Sequence, residues 1–167
     1  PESEMTMRAL LFICIAGLLT AACSSSPFKQ EGVNRNLTPA LAKSSGDYLN
    51  QSAIWGGLII ETRNHKDFSE VEVLAYPLDS ASEPVRSATA QGRFLITHSG
   101  FLEPAEFAPG RWISVLGMVR PPKTGNVGST PYEYPVIQSR QLHLWSEDEG
   151  RGSDSRIRFG IGIGIHL

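Results

Sequence analysis

The chain has 167 residues, 15 basic against 17 acidic, and a net charge of −2. That length suits one domain once targeting segments are set aside, and the interleaved charges give no basic face of the kind a nucleic-acid partner requires. Eleven prolines and sixteen glycines favour many turns and a β-rich fold. The apolar content of 41% is partly borrowed from the N-terminus, so the core of the remainder is modest. Both cysteines, Cys14 and Cys23, lie near the N-terminus, which excludes a disulfide framework.

The first predicted element is an address. Residues 7–23 place Arg8 before an uncharged apolar run over 9–19, followed by small residues, the order of a secretory signal peptide. The run is too short to span about 30 Å of hydrocarbon. Met5 or Met7 is the expected start, which makes residues 1–22 the signal peptide with an N-terminal extension inside 1–6. Leu19-Thr20-Ala21-Ala22-Cys23 resembles a bacterial lipobox. In that motif the cysteine thiol receives diacylglycerol and the lipoprotein signal peptidase cuts before it. Leucine is commonest where Thr20 stands, and here Leu19 lies one place earlier. The resemblance implies lipidation of Cys23, with two or three acyl chains giving stable attachment to membrane lipid. The competing reading is a soluble-secretion site with Cys23 as a bystander. Ser24 implies sorting to the outer membrane, since an Asp there tends to retain lipoproteins in the inner membrane of enteric-type bacteria.

A lipidated tether is expected over residues 23–50, polar and turn-rich through 24–36. It contains one short helix opened by Thr38 as cap and Pro39 at the first helical position. Strand patterns begin near residue 51. A first strand over 54–62 and a second over 68–76 form a hairpin, the second with Val71, Val73 and Ala75 on one face and Glu70, Glu72 and Leu74 on the other. Residues 80–89 read as a soft polar loop and 91–98 as a third strand. A turn over 103–110 precedes a fourth strand, 111–119, in which Gly117 marks a bulge or close approach. A long Gly/Pro loop over 121–131 leads to a fifth strand, 136–145. The pattern predicts an all-β domain over 51–148, a small five-stranded barrel of the oligonucleotide/oligosaccharide-binding (OB) type, with a sandwich as the rival. Residues 149–167 read as a linker and an extra C-terminal strand. There Ile157, Phe159, Ile161, Ile163, Ile165 and Leu167 share one face, expected to dock on the domain or to meet a membrane or barrel partner.

Several motifs in a fixed order carry a resemblance: Ile54-Trp55-Gly56-Gly57, Leu74-Ala75-Tyr76-Pro77-Leu78-Asp79, Gln91-Gly92-Arg93-Phe94, Ser99-Gly100-Phe101-Leu102-Glu103-Pro104, Phe107-Ala108-Pro109-Gly110-Arg111, Ser114-Val115-Leu116-Gly117 and Tyr134-Pro135-Val136-Ile137. With the lipobox they cover about residues 8–146 and resemble the Slp family of starvation-inducible outer-membrane lipoproteins. That resemblance implies an outer-membrane location facing the periplasm and a link to starvation or stress. It brings no catalytic residue and no cofactor.

The residues themselves offer little chemistry. His65, His98, His143 and His166 fall in four separate segments without metal-ligand spacing. His98-Ser99 lacks a strand–elbow–helix context, and Glu103 and Glu106 read as surface charge beside Arg93 or Arg111. No enzyme and no cofactor is expected. Trp55, Trp112 and Trp145 are either packing residues or the lining of a barrel mouth that binds a glycan or peptide. An envelope protein partner is the further alternative.

Overall fold

The computed structural model describes residues 26–146. Helix α1 (Pro39–Ser44) and a 3-10 turn (Gly46–Tyr48) precede β1 (Ser52–Asn64), β2 (Phe68–Ala75), β3 (Arg93–Ser99), β4 (Trp112–Val127) and β5 (Thr130–Trp145). The strands close into a barrel in the order β1-β2-β3-β5-β4, antiparallel except for β3 beside β5. The predicted OB-like barrel is therefore the fold, and the sandwich is not. Among the described strands, closure gives each one two neighbours, which limits free sheet edge in a domain without disulfides. The lipobox, Cys23 and Ser24, and the expected C-terminal strand over 156–167 lie outside the described residues.

Alternation of side chains along each strand fills the barrel. Val71, Val73 and Ala75 of β2 point inward as their spacing predicts, joined by Phe94 and Ile96 of β3 and by Ile113, Val115 and Val119 of β4. Trp55 is the largest side chain among them. Two glycines permit the close backbone passage that so small a barrel needs. A Cβ on Gly57 would sit 1.8 Å from the Leu74 carbonyl oxygen, and one on Gly117 2.2 Å from that of Gln138. Gly117 also adjoins a break in the β4–β5 register, as its place in the strand predicts.

Three expectations require correction. The Gly/Pro stretch 121–131 is not a loop. β4 and β5 continue through it as a long hairpin, turning at Gly128 (φ 60°) and Ser129. Pro121 and Pro122 fall where the register shifts between Arg120 and Lys123, so their missing N–H groups interrupt little of the ladder. Residues 80–89 are not a soft loop either. Ala81, Ser82 and Pro84 are buried, and the Ser114 hydroxyl donates to the Ser82 carbonyl at 2.6 Å, which ties the loop onto the outer face of β4.

The third correction concerns the stretch read as tether: residues 26–50 belong to the folded body. The helix is there, with Pro39 at its start and the Thr38 hydroxyl accepting from the Leu41 N–H at 3.3 Å. Its surroundings anchor it, because Leu37 is buried in the barrel core and Ala42 and Tyr48 pack against that core. Asn34 and Asn50 donate backbone hydrogen bonds to Ser52 (2.9 Å) and Val119 (2.9 Å).

Val115 is fully buried, so Val115→Asp is expected to lower the stability of a soluble domain beginning at residue 24 by at least about 3 kcal/mol, the scale of an uncompensated buried charge. Urea melts measure this, and a midpoint equal to the wild type contradicts the strand phase.

Candidate functional site

The three tryptophans do not converge. Trp55 lies inside the barrel, its indole N–H donating to the Leu37 carbonyl at 2.7 Å and its ring meeting Phe94 edge-on at 5.3 Å. Trp112 and Trp145 are register partners on the outer face of β4 and β5. Trp145 is buried and donates to the Ser114 hydroxyl at 2.9 Å. Trp112 packs edge-on against Tyr76 at 5.0 Å with the Arg86 guanidinium 5.4 Å from its ring. All three serve packing, and of the three only Trp55 reaches the wall of a cleft.

That cleft, of about 490 Å³, runs between residues 35–39 and 76–82 and includes Arg35, Asn36, Tyr76, Asp79 and Gln91. Its size suits a small ligand. Arg35 fixes one wall, donating to Gln30 Oε1 (2.6 Å) and to the carbonyls of Asp79 (3.1 Å) and Ser80 (3.3 Å). The floor is the side of β1 that β2 no longer covers. There the Ser52 carbonyl accepts from Asn34 and the Gly56 carbonyl from Tyr76 (3.0 Å). Strand alternation aims the Ile54 peptide groups the same way, between those two bonds.

A second, smaller cleft of about 310 Å³ holds a charged cluster that the sequence patterns did not reveal, comprising Arg63, Glu70, Glu72, Lys123 and Tyr134. Glu70 and Glu72 occupy the outer face of β2 as predicted, yet are only 4% and 6% exposed. Lys123 and Tyr134, from the hairpin of β4 and β5, lie over them. Lys123 Nζ is 2.5 Å from Glu70, and Arg63 donates to the same carboxylate at 3.1 Å. Arg93 pairs with Glu72 at 2.6 Å rather than with Glu103 or Glu106, and the Tyr134 hydroxyl lies 3.1 Å from Glu72. Burial raises the Tyr134 pKa, and the Glu72 charge adds to that. For Glu70, burial pushes the carboxyl up, but the Lys123 hydrogen bond and the charges of Lys123 and Arg63 outweigh it, so the pKa falls below its ordinary value. Each carboxylate has cationic partners, so the cluster reads as a fastening for the hairpin and not as an acid–base pair.

Among the described residues no hydrolytic arrangement forms around the histidines. His98 Nδ1 lies 2.8 Å from Ser139 Oγ on the neighbouring strand, not from Ser99. Among the described residues no three His, Cys, Asp or Glu side chains gather as a metal site.

Because the folded pKa of Glu70 is depressed, its contribution is present above the ordinary carboxylate range and lost as pH falls through the folded pKa. Glu70→Gln is expected to cost about 1 kcal/mol at pH 7, given the exposed partners, and to flatten the loss of stability between neutral and acid pH. Denaturant melts at several pH values read this, and parallel profiles for variant and wild type contradict it.

Comparison with known proteins completes the picture. The model of the outer membrane lipoprotein Slp family matches residues 20–160, beginning within the lipobox. Outer membrane protein Slp of Escherichia coli (strain K12) is 32% identical over 149 residues, covering 85% of this chain and 76% of that protein. The uncharacterized lipoprotein YeaY of the same strain is 29% identical over 137 residues, covering 80% of this chain and 67% of its own. Among solved structures, a mitochondrial single-stranded DNA-binding protein from S. cerevisiae aligns with a TM-score of 0.36 at 16% identity, over 57% of this chain and 94% of that one. A likeness at that level carries no argument. The chain belongs to the outer membrane lipoprotein Slp family.

Proposed function

We propose that the protein is a non-catalytic envelope module, held on the outer membrane by acyl chains on Cys23 and facing the periplasm, with a role in starvation or stress. The observation that carries this is the lipobox cysteine at the head of a chain whose family match begins at residue 20. Ser24 supports outer-membrane sorting. The clustered charges of the barrel are spent on one another, as Glu70 and Glu72 illustrate, which fits a scaffold better than a catalyst.

A second reading, a binding module, is favoured by one observation: the larger cleft combines Tyr76, Gln91 and Asn36 with the Ile54 strand edge. Those groups suit a short glycan or peptide, with an aromatic face, amide donors and backbone pairing.

Cys23→Ser is expected to abolish palmitate incorporation and leave unprocessed precursor, while Ser24→Asp shifts the protein toward the inner membrane in an enteric host. Normal palmitate labelling of the serine variant refutes the anchor. For the cleft, titrating the soluble domain with peptidoglycan fragments is expected to shift tryptophan emission through Tyr76 and Trp112, and Tyr76→Ala is expected to remove the shift. A saturable shift that survives Tyr76→Ala places the ligand elsewhere.

A further inference from the structure

The described fold starts close behind the lipobox, and that spacing limits how the domain can sit on a membrane. Three peptide steps separate Cys23 from Ser26, a reach of at most about 11 Å. A body of about 120 residues has a radius of gyration near 14 Å, so the link is shorter than the radius of what it holds.

No slack is available from the first described residues, because each is fastened. Ser26 Oγ lies 3.0 Å from Ser82 Oγ, and Gln141 Nε2 donates to the Pro27 carbonyl at 3.1 Å. Phe28 is 4% exposed and meets His143 edge-on at 6.3 Å. We propose that this corner of the barrel, formed by Ser26, Phe28, Ser82, Gln141 and His143, rests against the lipid headgroups of the leaflet that holds the Cys23 acyl chains. The inference rests on Cys23 being lipidated as proposed above. Lys29 and Arg140, exposed and next in sequence to Phe28 and Gln141, bring positive charge suited to anionic headgroups.

Two consequences follow from the same contacts. The described chain leaves its last strand at this corner. Trp145 bonds Ser114, Ser114 bonds the Ser82 carbonyl, and Arg86 donates to the Ser146 carbonyl at 2.9 Å. Ser146, the last described residue, therefore stands beside the same leaflet. The larger cleft shares Ser82 as a wall residue, so it opens beside the membrane surface and takes ligands presented there.

The test uses the full lipidated protein in vesicles of phosphatidylethanolamine and phosphatidylglycerol that carry a headgroup spin label. Cys14 leaves with the signal peptide and the Cys23 thiol is blocked by lipid, so Gln141→Cys and Ser146→Cys each give one reactive thiol for a fluorophore. Glu133→Cys is the distant control, eight residues or about 26 Å along β5 from Gln141, at an exposed position. Quenching at the two corner sites is expected to be at least about twofold stronger than at the control. Palmitate labelling of each preparation separates the two ideas. Equal quenching, or stronger quenching at Glu133→Cys, in palmitate-bearing protein overturns the orientation and leaves the anchor standing. Absence of palmitate overturns both.

Discussion

The buried indole N–H of Trp55 has one partner, the carbonyl of Leu37 at 2.7 Å. A donor sealed in a core and left unpaired costs about 1–3 kcal/mol, so the chain ahead of the barrel is obliged to cross its open end. Leu37 follows into the core, α1 is laid down behind it, and Ala42 and Tyr48 complete the cover. The rest of the geometry depends on that crossing. It closes one end of the core, builds the wall of the larger cleft with residues 35–39, and fixes where residue 26, three places after Cys23, stands on the barrel.

Much of this was legible in the sequence, and the parts that were not share a cause. Strict alternation in β2 separated Val71, Val73 and Ala75 from Glu70 and Glu72, and it placed each on the correct face. The Thr38-Pro39 pair marked a helix start because cap and proline act locally. Composition misled where long-range contacts override it. Residues 121–131 look like a loop because they hold proline and glycine, yet the prolines sit at a bulge and Gly128-Ser129 is a two-residue hairpin turn. Residues 26–37 look like a tether because they are mostly polar, yet Phe28 and Leu37 within them are buried.

The candidate site was less legible than the fold. The tryptophans left packing and a barrel mouth both open, and register separates Trp55 on the inner face from Trp112 and Trp145 on the outer one. The ion-pair cluster was invisible because Arg63 and Glu70 come from one hairpin, while Lys123 and Tyr134 come from another about sixty residues away. Once β4 and β5 are seen to continue past the prolines, their arm has to fold over β2, and the glutamates there become buried and paired. The same arm covers the strand face that OB barrels commonly leave open to ligands, which directs attention to the cleft beside α1.

The claim on which the account turns is that residues 26–50 are one cooperative body with the barrel. Amide hydrogen exchange of the full protein tests it most directly, residue by residue. The account predicts that the N–H groups of Asn34, Ala42 and Asn50, bonded to Ser52, Thr38 and Val119, exchange slowly, with Asn34 and Asn50 approaching the protection of β1 and β4. Exchange of all three at unfolded-chain rates, beside a protected barrel, would show a long free tether and contradict both the cover over Trp55 and the proposed short link to the membrane.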